Sequence, residues 1–268
     1  PGAVTVRQGD SATLPRGGGT FASRSVTVGG SALFVAAERI RDRAARIAAH
    51  LLEAAPRDIV WTDGAFFVRG TPGRAVTFAE VAAAAHRPER LPAGLDLGLE
   101  ASGEFTLPGP VFPYGACIAV VEVDEQTGLV QVRQVTTVDD PGRVVNPMLA
   151  EGQVAGGTVQ GLGQSLREQV VYDEAGQILT ATFVDYLVPT SVEVPKMEIH
   201  HIQTPNPHTP GGFKGMAEGG VMGAIAAVAG AVHDAVASAD TRIFRLPLSP
   251  VRVRDLAKRA GACEGGEH

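Results

Sequence analysis

Between residues 149 and 166 a helical pattern carries five glycines: Gly152, Gly156, Gly157, Gly161 and Gly163. Each costs a helix about 1 kcal/mol relative to alanine. A helix kept under that penalty implies that a neighbouring backbone, or a ligand, comes closer than a side chain would permit. Glycine is abundant elsewhere too, at 33 of 268 residues, and there are 18 prolines. The chain therefore needs many turns and much irregular backbone, with no periodic repeat to organise them.

The composition is otherwise that of a globular protein: 44% hydrophobic and 19% charged residues exclude disorder along the whole chain. Only 5% are aromatic, so aliphatic side chains and alanine must build the core. A length of 268 residues suits one large domain or two small ones. The net charge is −6, and the 23 basic residues include only three lysines, Lys196, Lys214 and Lys258. A mildly acidic chain without a basic block is a poor nucleic-acid binder. Two cysteines, Cys117 and Cys263, form neither a C-x-x-C pair nor a disulfide framework, so a reducing cytoplasm is expected. No membrane association is expected, since no stretch nears an uninterrupted apolar span, and no signal peptide is visible. Residue 1 is proline and a strand is expected at once over 3–7, as in a chain that begins inside a larger fold.

The periodicity predicts a long helix over 31–55, with Leu33, Ala36, Ala37, Ile40, Ala44, Ile47 and Leu51 on one face and arginines on the other. Asp63-Gly64 between two apolar runs predicts a hairpin. Thr77 to Glu80 reads as a capping box opening a short helix to about His86. Residues 87–113 read as a long connection, which places a boundary between subdomains 1–113 and 114–268. In the second, strands are expected at 117–124, 129–135, 178–184 and 197–203, with helices at 149–166 and 219–237. The fold class is α+β.

Three segments carry candidate chemistry. Residues 16–25 combine glycines with Thr20, Ser23, Ser25 and two arginines, which suits either a phosphate cradle or a tight glycine turn. In Phe213 to Gly220, Glu218 sits among glycines before an apolar helix, as a helix-end carboxylate or as a general base. Glu198, His200, His201 and His208 invite a metal-dependent hydrolase reading, but adjacent strand histidines face opposite sides. Asp139 and Asp140 are either an acid pair or turn formers, and Gln153 is a candidate amide donor.

Taken in order, Gly19-Thr20-Phe21-Ala22-Ser23-Arg24-Ser25, Arg143-Val144-Val145-Asn146-Pro147, the run from Glu151 through Gln153 to Gly163, and Lys214-Gly215-Met216-Ala217-Glu218 form one set. That set resembles the C-terminal part of the molybdenum-binding large subunit of the xanthine dehydrogenase and aldehyde oxidase family. The nearest flavour is the large subunit of aerobic carbon monoxide dehydrogenases. The resemblance implies the molybdenum cofactor-binding domain fold and a molybdopterin cytosine dinucleotide cofactor. It implies that Gly19, Thr20, Phe21, Ala22, Ser23, Arg24 and Ser25 lie on the dinucleotide, with Gln153, Lys214, Gly215 and Ala217 as further cofactor contacts. No protein side chain is expected to ligate molybdenum, which the pterin holds. Glu218 matches the family's glutamate beside the metal and is the expected general base.

The activity implied is oxidation of an aldehyde or N-heterocycle with water-derived oxygen, with electrons leaving to Fe–S and FAD groups on partner chains. The expected partners are the N-terminal half of the large subunit, an Fe–S small subunit, an FAD medium subunit and a small-molecule substrate. The alternatives are a catalytically silent cofactor-binding or assembly subunit of the same fold, and a piece of a carbon monoxide dehydrogenase large chain.

Overall fold

The computed structural model describes residues 4–12, 17–236 and 242–264, with side chains as far as Arg259. Ala3 and Arg16, named above, lie outside the described residues, as do Ala237 and the side chain of Cys263. Val4 to Gln8 forms no strand. Val4 and Val6 are exposed, and an extended segment without a hydrogen-bonded neighbour has nothing to hold it as one.

The chain divides into two compact units. One comprises residues 28–108 and 209–211; the other comprises 1–27, 109–208 and 212–268. The segment 17–25, read in the sequence as part of subdomain 1–113, thus groups with the unit that carries Glu218.

In the unit of residues 28–108, α1 (Ser31–Leu51) is followed by an antiparallel sheet of β1 (Ile59–Thr62), β2 (Ala65–Val68) and β3 (Thr71–Thr77), then by α2 (Phe78–Ala85). The expected helix to residue 55 stops at Leu51, because Glu53 turns left-handed at φ 47°. Only the C-terminal part of its apolar face is deeply buried, through Ala44, Ile47 and Ala48; Leu33 is exposed. The core adds Phe66, Val81, Ala84 and Ala85. Strand β3 was hidden in the sequence by Pro72 and Gly73, which an edge strand tolerates. The capping box is present: the Glu80 N–H donates to Thr77 Oγ1 at 3.2 Å, and the Thr77 N–H donates to Glu80 Oε2 at 2.8 Å. Arginines on α1 fasten the connection: Arg39 donates to the Ser102 carbonyl, and Arg43 to those of Asp96 and Leu97.

The second unit is built on a sheet ordered β4 (Tyr114–Val123), β5 (Val130–Asp140), β6 (Lys196–His201). β4 and β5 form an antiparallel hairpin, whereas β5 and β6 are parallel. Parallel neighbours need a crossover, and α3 (Pro147–Leu166) lies within it. α4 (Gly219–Val236) packs on α3 and β4, and α5 (Pro250–Glu264) on α4. Val135, Leu162 and Val228 are buried between these layers, and Val232, Val236, Leu248 and Val253 form a second cluster. The expected strand at 178–184 is absent. A single bridge joins Tyr172 to Ile178, and the chain then turns, with the Tyr186 N–H donating to the Thr182 carbonyl at 2.8 Å. Phe183 and Val184, both 84% exposed, find no cover in this unit.

The close approach demanded by the glycines of α3 is to α4. A methyl at Gly161 would lie 2.7 Å from Ala224 Cβ and 2.8 Å from the Val221 carbonyl oxygen. From the other helix, a methyl at Gly220 would lie 2.6 Å from the Val154 oxygen. Gly152 and Gly156 meet nothing within 4 Å. Gly161→Ala is expected to cost about 1–3 kcal/mol, because backbone must shift. Gly152→Ala is expected to gain about 0.5–1 kcal/mol. Urea midpoints of the two variants check this, and the reverse order would rule out the helix seam.

This seam also corrects the expectation that nothing approaches a membrane span. α4 is 18 residues long with a mean hydropathy of 1.4, which meets the length and composition of one. Its glycine and alanine positions pack against α3 and β4, as in the core helix of a layered fold.

Candidate functional site

The site grows from the turn after β5. Asp140 is 3% exposed, and burial alone would push its carboxyl up. The N–H groups of Thr204 and Gly142 donate to its Oδ1 at 3.0 and 2.9 Å. Lys214 Nζ lies 3.2 Å from its Oδ2. These partners outweigh the burial and hold Asp140 down at about 2. The Lys214 ammonium also lies over the Tyr114 ring, 4.6 Å from its centre.

Backbone bonds complete the joint. The Arg143 N–H donates to the Gly212 carbonyl at 3.0 Å, and the Lys214 N–H to that of Pro141 at 2.9 Å. Gly142 has φ 67°, and a methyl there would lie 2.3 Å from the Gly212 oxygen. The segment 212–215 is thereby stapled to the end of β5, with Glu218 following on a short lead into α4.

The glycine loop meets that segment. Gly19, Ala22 and Ser23 all have left-handed φ values, of 69°, 49° and 52°. Two consecutive non-glycine residues in this region are strained, and such strain persists where surrounding contacts enforce it. Here the contact is to the glutamate. The Ser23 hydroxyl donates to Glu218 Oε2 at 2.9 Å, and the Glu218 N–H donates to Ser23 Oγ at 3.0 Å. Gly215 makes room: a methyl there would lie 2.8 Å from the Ser23 carbonyl oxygen.

Of the residues singled out in the sequence, Ser23, Gly215 and Glu218 come together. Thr20 and Ser25 bond to each other through their hydroxyls at 2.9 Å, and the Arg24 guanidinium lies 4.5 Å from the centre of the Phe21 ring. Ala217 and Glu218 are exposed. Gln153 is exposed on α3, beside Val154, whose carbonyl abuts Gly220. Lys214 turns away: it is 5% exposed and spends its charge on Asp140. Asp140 was singled out in the sequence as one of an acid pair or as a turn former, but not as the partner of Lys214; the residues missed by sequence reasoning are Tyr114, under the Lys214 ammonium, and Thr204, which donates to Asp140. The available signal was that a chain with three lysines places one of them in this loop.

The other candidate chemistry does not assemble. Glu198 accepts from Lys196 Nζ at 2.6 Å on β6. Among the described residues, no three His, Cys, Asp or Glu side chains are grouped to hold a metal ion. A groove of about 600 Å3 in this unit is lined by Leu162, Leu166, Val192 and Val194, among others, and by none of the residues of the loop or of the glutamate segment.

The loop leaves its backbone open to an anion. No atom lies within 4 Å of where a Cβ would stand at Gly17, Gly18 or Gly19, so a phosphate can reach the backbone there. Two hydroxyls and a guanidinium stand beside it as donors. A family model for a molybdopterin cofactor-binding domain matches residues 1–195, which include this loop and α3 and end before β6.

The chain belongs to the molybdopterin cofactor-binding domain family.

Relatives agree with this assignment. The chain is 39% identical over 251 residues to the carbon monoxide dehydrogenase large chain of Hydrogenophaga pseudoflava, covering 93% of this chain and 31% of that one. Identity and coverage are the same for the nicotine 6-hydroxylase large subunit of Paenarthrobacter nicotinovorans. The structure of reconstituted CO dehydrogenase from Oligotropha carboxidovorans superposes with a TM-score of 0.89 at 36% identity, covering 94% of this chain and 31% of that one. The chain thus spans about a third of the length of these proteins.

Proposed function

We propose that this molybdopterin-domain chain is the part of a molybdenum hydroxylase large subunit that holds the pterin dinucleotide and supplies the general base. The observation that carries the reading is the reciprocal pair of hydrogen bonds between Ser23 and Glu218, residues 195 positions apart. It sets a carboxylate against the loop proposed to hold the phosphates.

In this reading the loop 17–25 binds the cytosine dinucleotide through backbone N–H groups, Arg24 and the hydroxyls of Thr20 and Ser25. Ser23 is different, since its hydroxyl is taken by Glu218. Gln153 is the amide donor on the pterin side, and the backbone of Gly215 and Ala217 borders the cofactor. Lys214 acts one step back, by fixing the segment that leads to the base. When bound, the molybdenum cofactor takes up the two electrons removed from substrate. Ser23 holds Glu218 Oε2, which leaves Oε1 to accept a proton from water as that water is activated toward an electrophilic carbon. The exposure of Glu218 in this chain leaves exclusion of bulk water to the remainder of the large subunit.

The substrate proposed is an aldehyde or N-heterocycle; similarity to a nicotine hydroxylase subunit supports the heterocycle. Similarity to carbon monoxide dehydrogenase chains supports a second reading, oxidation of carbon monoxide. We place the enzyme in the cytoplasm, with Fe–S and FAD subunits receiving the electrons. Exposed apolar side chains such as Phe183, Val184 and Phe244 suit docking of the rest of the large subunit.

The test is analysis of the native complex that contains this chain. Molybdenum and acid-released CMP near one per large subunit, with turnover of an aldehyde or heterocycle, is the expected result. Copper in equal amount, with carbon monoxide as the substrate turned over, selects the second reading. A fully assembled complex free of molybdenum and nucleotide overturns both in favour of a silent subunit.

A further inference from the structure

Under the first turn of α4 lies a cavity of about 120 Å3, lined by Cys117, Thr137, Asp139, Gly219 and Gly220 among others. Its wall is largely apolar but carries two unsatisfied polar groups. Thr137 Oγ1 and Asp139 Oδ2 are buried and have no hydrogen-bond partner in the chain. Their residues are 2% and 7% exposed. The Thr158 hydroxyl, also buried without a partner, stands 3.3 Å from where a Cβ would be at Gly220. Both ring nitrogens of His201, the neighbour of Asp139 across the β5–β6 pairing, are likewise unpartnered. Thr158 and His201 do not line the cavity, but Thr137 and Asp139 do, and an orphaned buried polar atom costs about 1–3 kcal/mol, so this pair calls for an occupant.

Glycine makes the room. The Asp139 carboxyl fits between two residues without side chains: its Oδ1 lies 2.9 Å from a Cβ built at Gly115 and 3.2 Å from one built at Gly219. The cavity opens beside the start of an 18-residue helix, whose first N–H groups have no partner within the helix. Burial is the largest influence on the Asp139 carboxyl and raises it above its usual range. The volume suits about four water molecules at about 30 Å3 each.

We infer that this chamber is a permanent water site, and that Asp139 is a positioning residue that fixes the start of α4, and with it Glu218, through ordered water. The inference rests on the role proposed for Glu218 only in its kinetic consequence. Asp139 flanks Gly219, the residue next to Glu218, so the hydrated carboxyl sets where the helix begins and how the glutamate meets Ser23. The chamber belongs to the folded chain and needs no cofactor to be filled.

The test is a structure of the intact complex at a resolution that shows ordered water, with three variants. Water bonded to Thr137 Oγ1 and Asp139 Oδ2 is expected; a dry chamber overturns the inference. Asp139→Asn keeps a polar group there, and is expected to retain the water, the Ser23–Glu218 contact and turnover close to that of the parent. Asp139→Leu fills the chamber with apolar atoms. It is expected to expel water, lengthen the Ser23–Glu218 contact and lower kcat by about ten- to a hundredfold with KM and molybdenum content unchanged. Should Asp139→Leu fail to fold, Thr137→Val serves: it is expected to lose the water on Thr137 while the chain stays folded. An asparagine variant as damaged as the leucine variant overturns the positioning role. Water occupancy and the Ser23–Glu218 distance test this inference even if Glu218 proves not to be the base.

Discussion

Glu218→Gln in the assembled enzyme is expected to lower kcat/KM by about 10²–10⁴-fold while molybdenum and nucleotide content stay unchanged. The amide preserves what the structure shows of this residue. Its carbonyl oxygen still accepts from the Ser23 hydroxyl, and its backbone N–H still donates to Ser23 Oγ. What it loses is the ability to take a proton. The variant therefore separates basicity from placement. Ser23→Ala removes placement instead, and is expected to weaken turnover less, with a more mobile glutamate. Full activity in Glu218→Gln would remove the general base from the mechanism proposed here.

Breaking the buried pair beneath the glutamate segment is expected to produce the largest loss of stability. Lys214→Met leaves the Asp140 carboxylate buried without its cation, at a cost of about 3–5 kcal/mol. A fall in Tm of about 5–9 °C follows for a chain of this size. The double variant Lys214→Met with Asp140→Leu is expected to recover part of that loss, because no charge is then stranded.

Acid acts on the same joint. Asp140 is held down at about 2 in the folded chain against an ordinary 3.8, so its contribution is fully present above 3.8. It drains away as pH falls through about 2. Stability measured across that window should decline less steeply in Asp140→Asn, which starts lower. An unchanged pH dependence would mean that other carboxylates dominate acid unfolding.

Local signals in the sequence were good guides where the physics is local. The Thr77–Glu80 box and the Asp63-Gly64 hairpin depend on contacts a few residues apart, and both form as read. Strand β3 was lost because its Pro72 and Gly73 argue against a strand unless its edge position is known. The glycines of α3 announced a close approach but not its partner, since α4 lies some sixty residues further on. The site was least legible. The resemblance made Lys214 a cofactor contact, yet a turn aspartate seventy-four positions earlier claims its ammonium. That Ser23 and Glu218 touch is invisible in spacing; only the resemblance of the ordered motifs to a cofactor-binding family put them in one site.

The parallel pairing of β5 with β6 has a bearing on how the site comes to exist. An antiparallel hairpin such as β4–β5 can form as soon as its turn is made, but β6 must wait until the whole crossover containing α3 has been threaded. The staple between Pro141 and Lys214 follows β6, and the clasp of Ser23 on Glu218 requires all of these to be in place. The glutamate is thus offered only by a chain whose sheet is complete. A chain arrested before β6 docks presents the glycine loop with no carboxylate beside it, so the order of folding itself separates finished chains from unfinished ones.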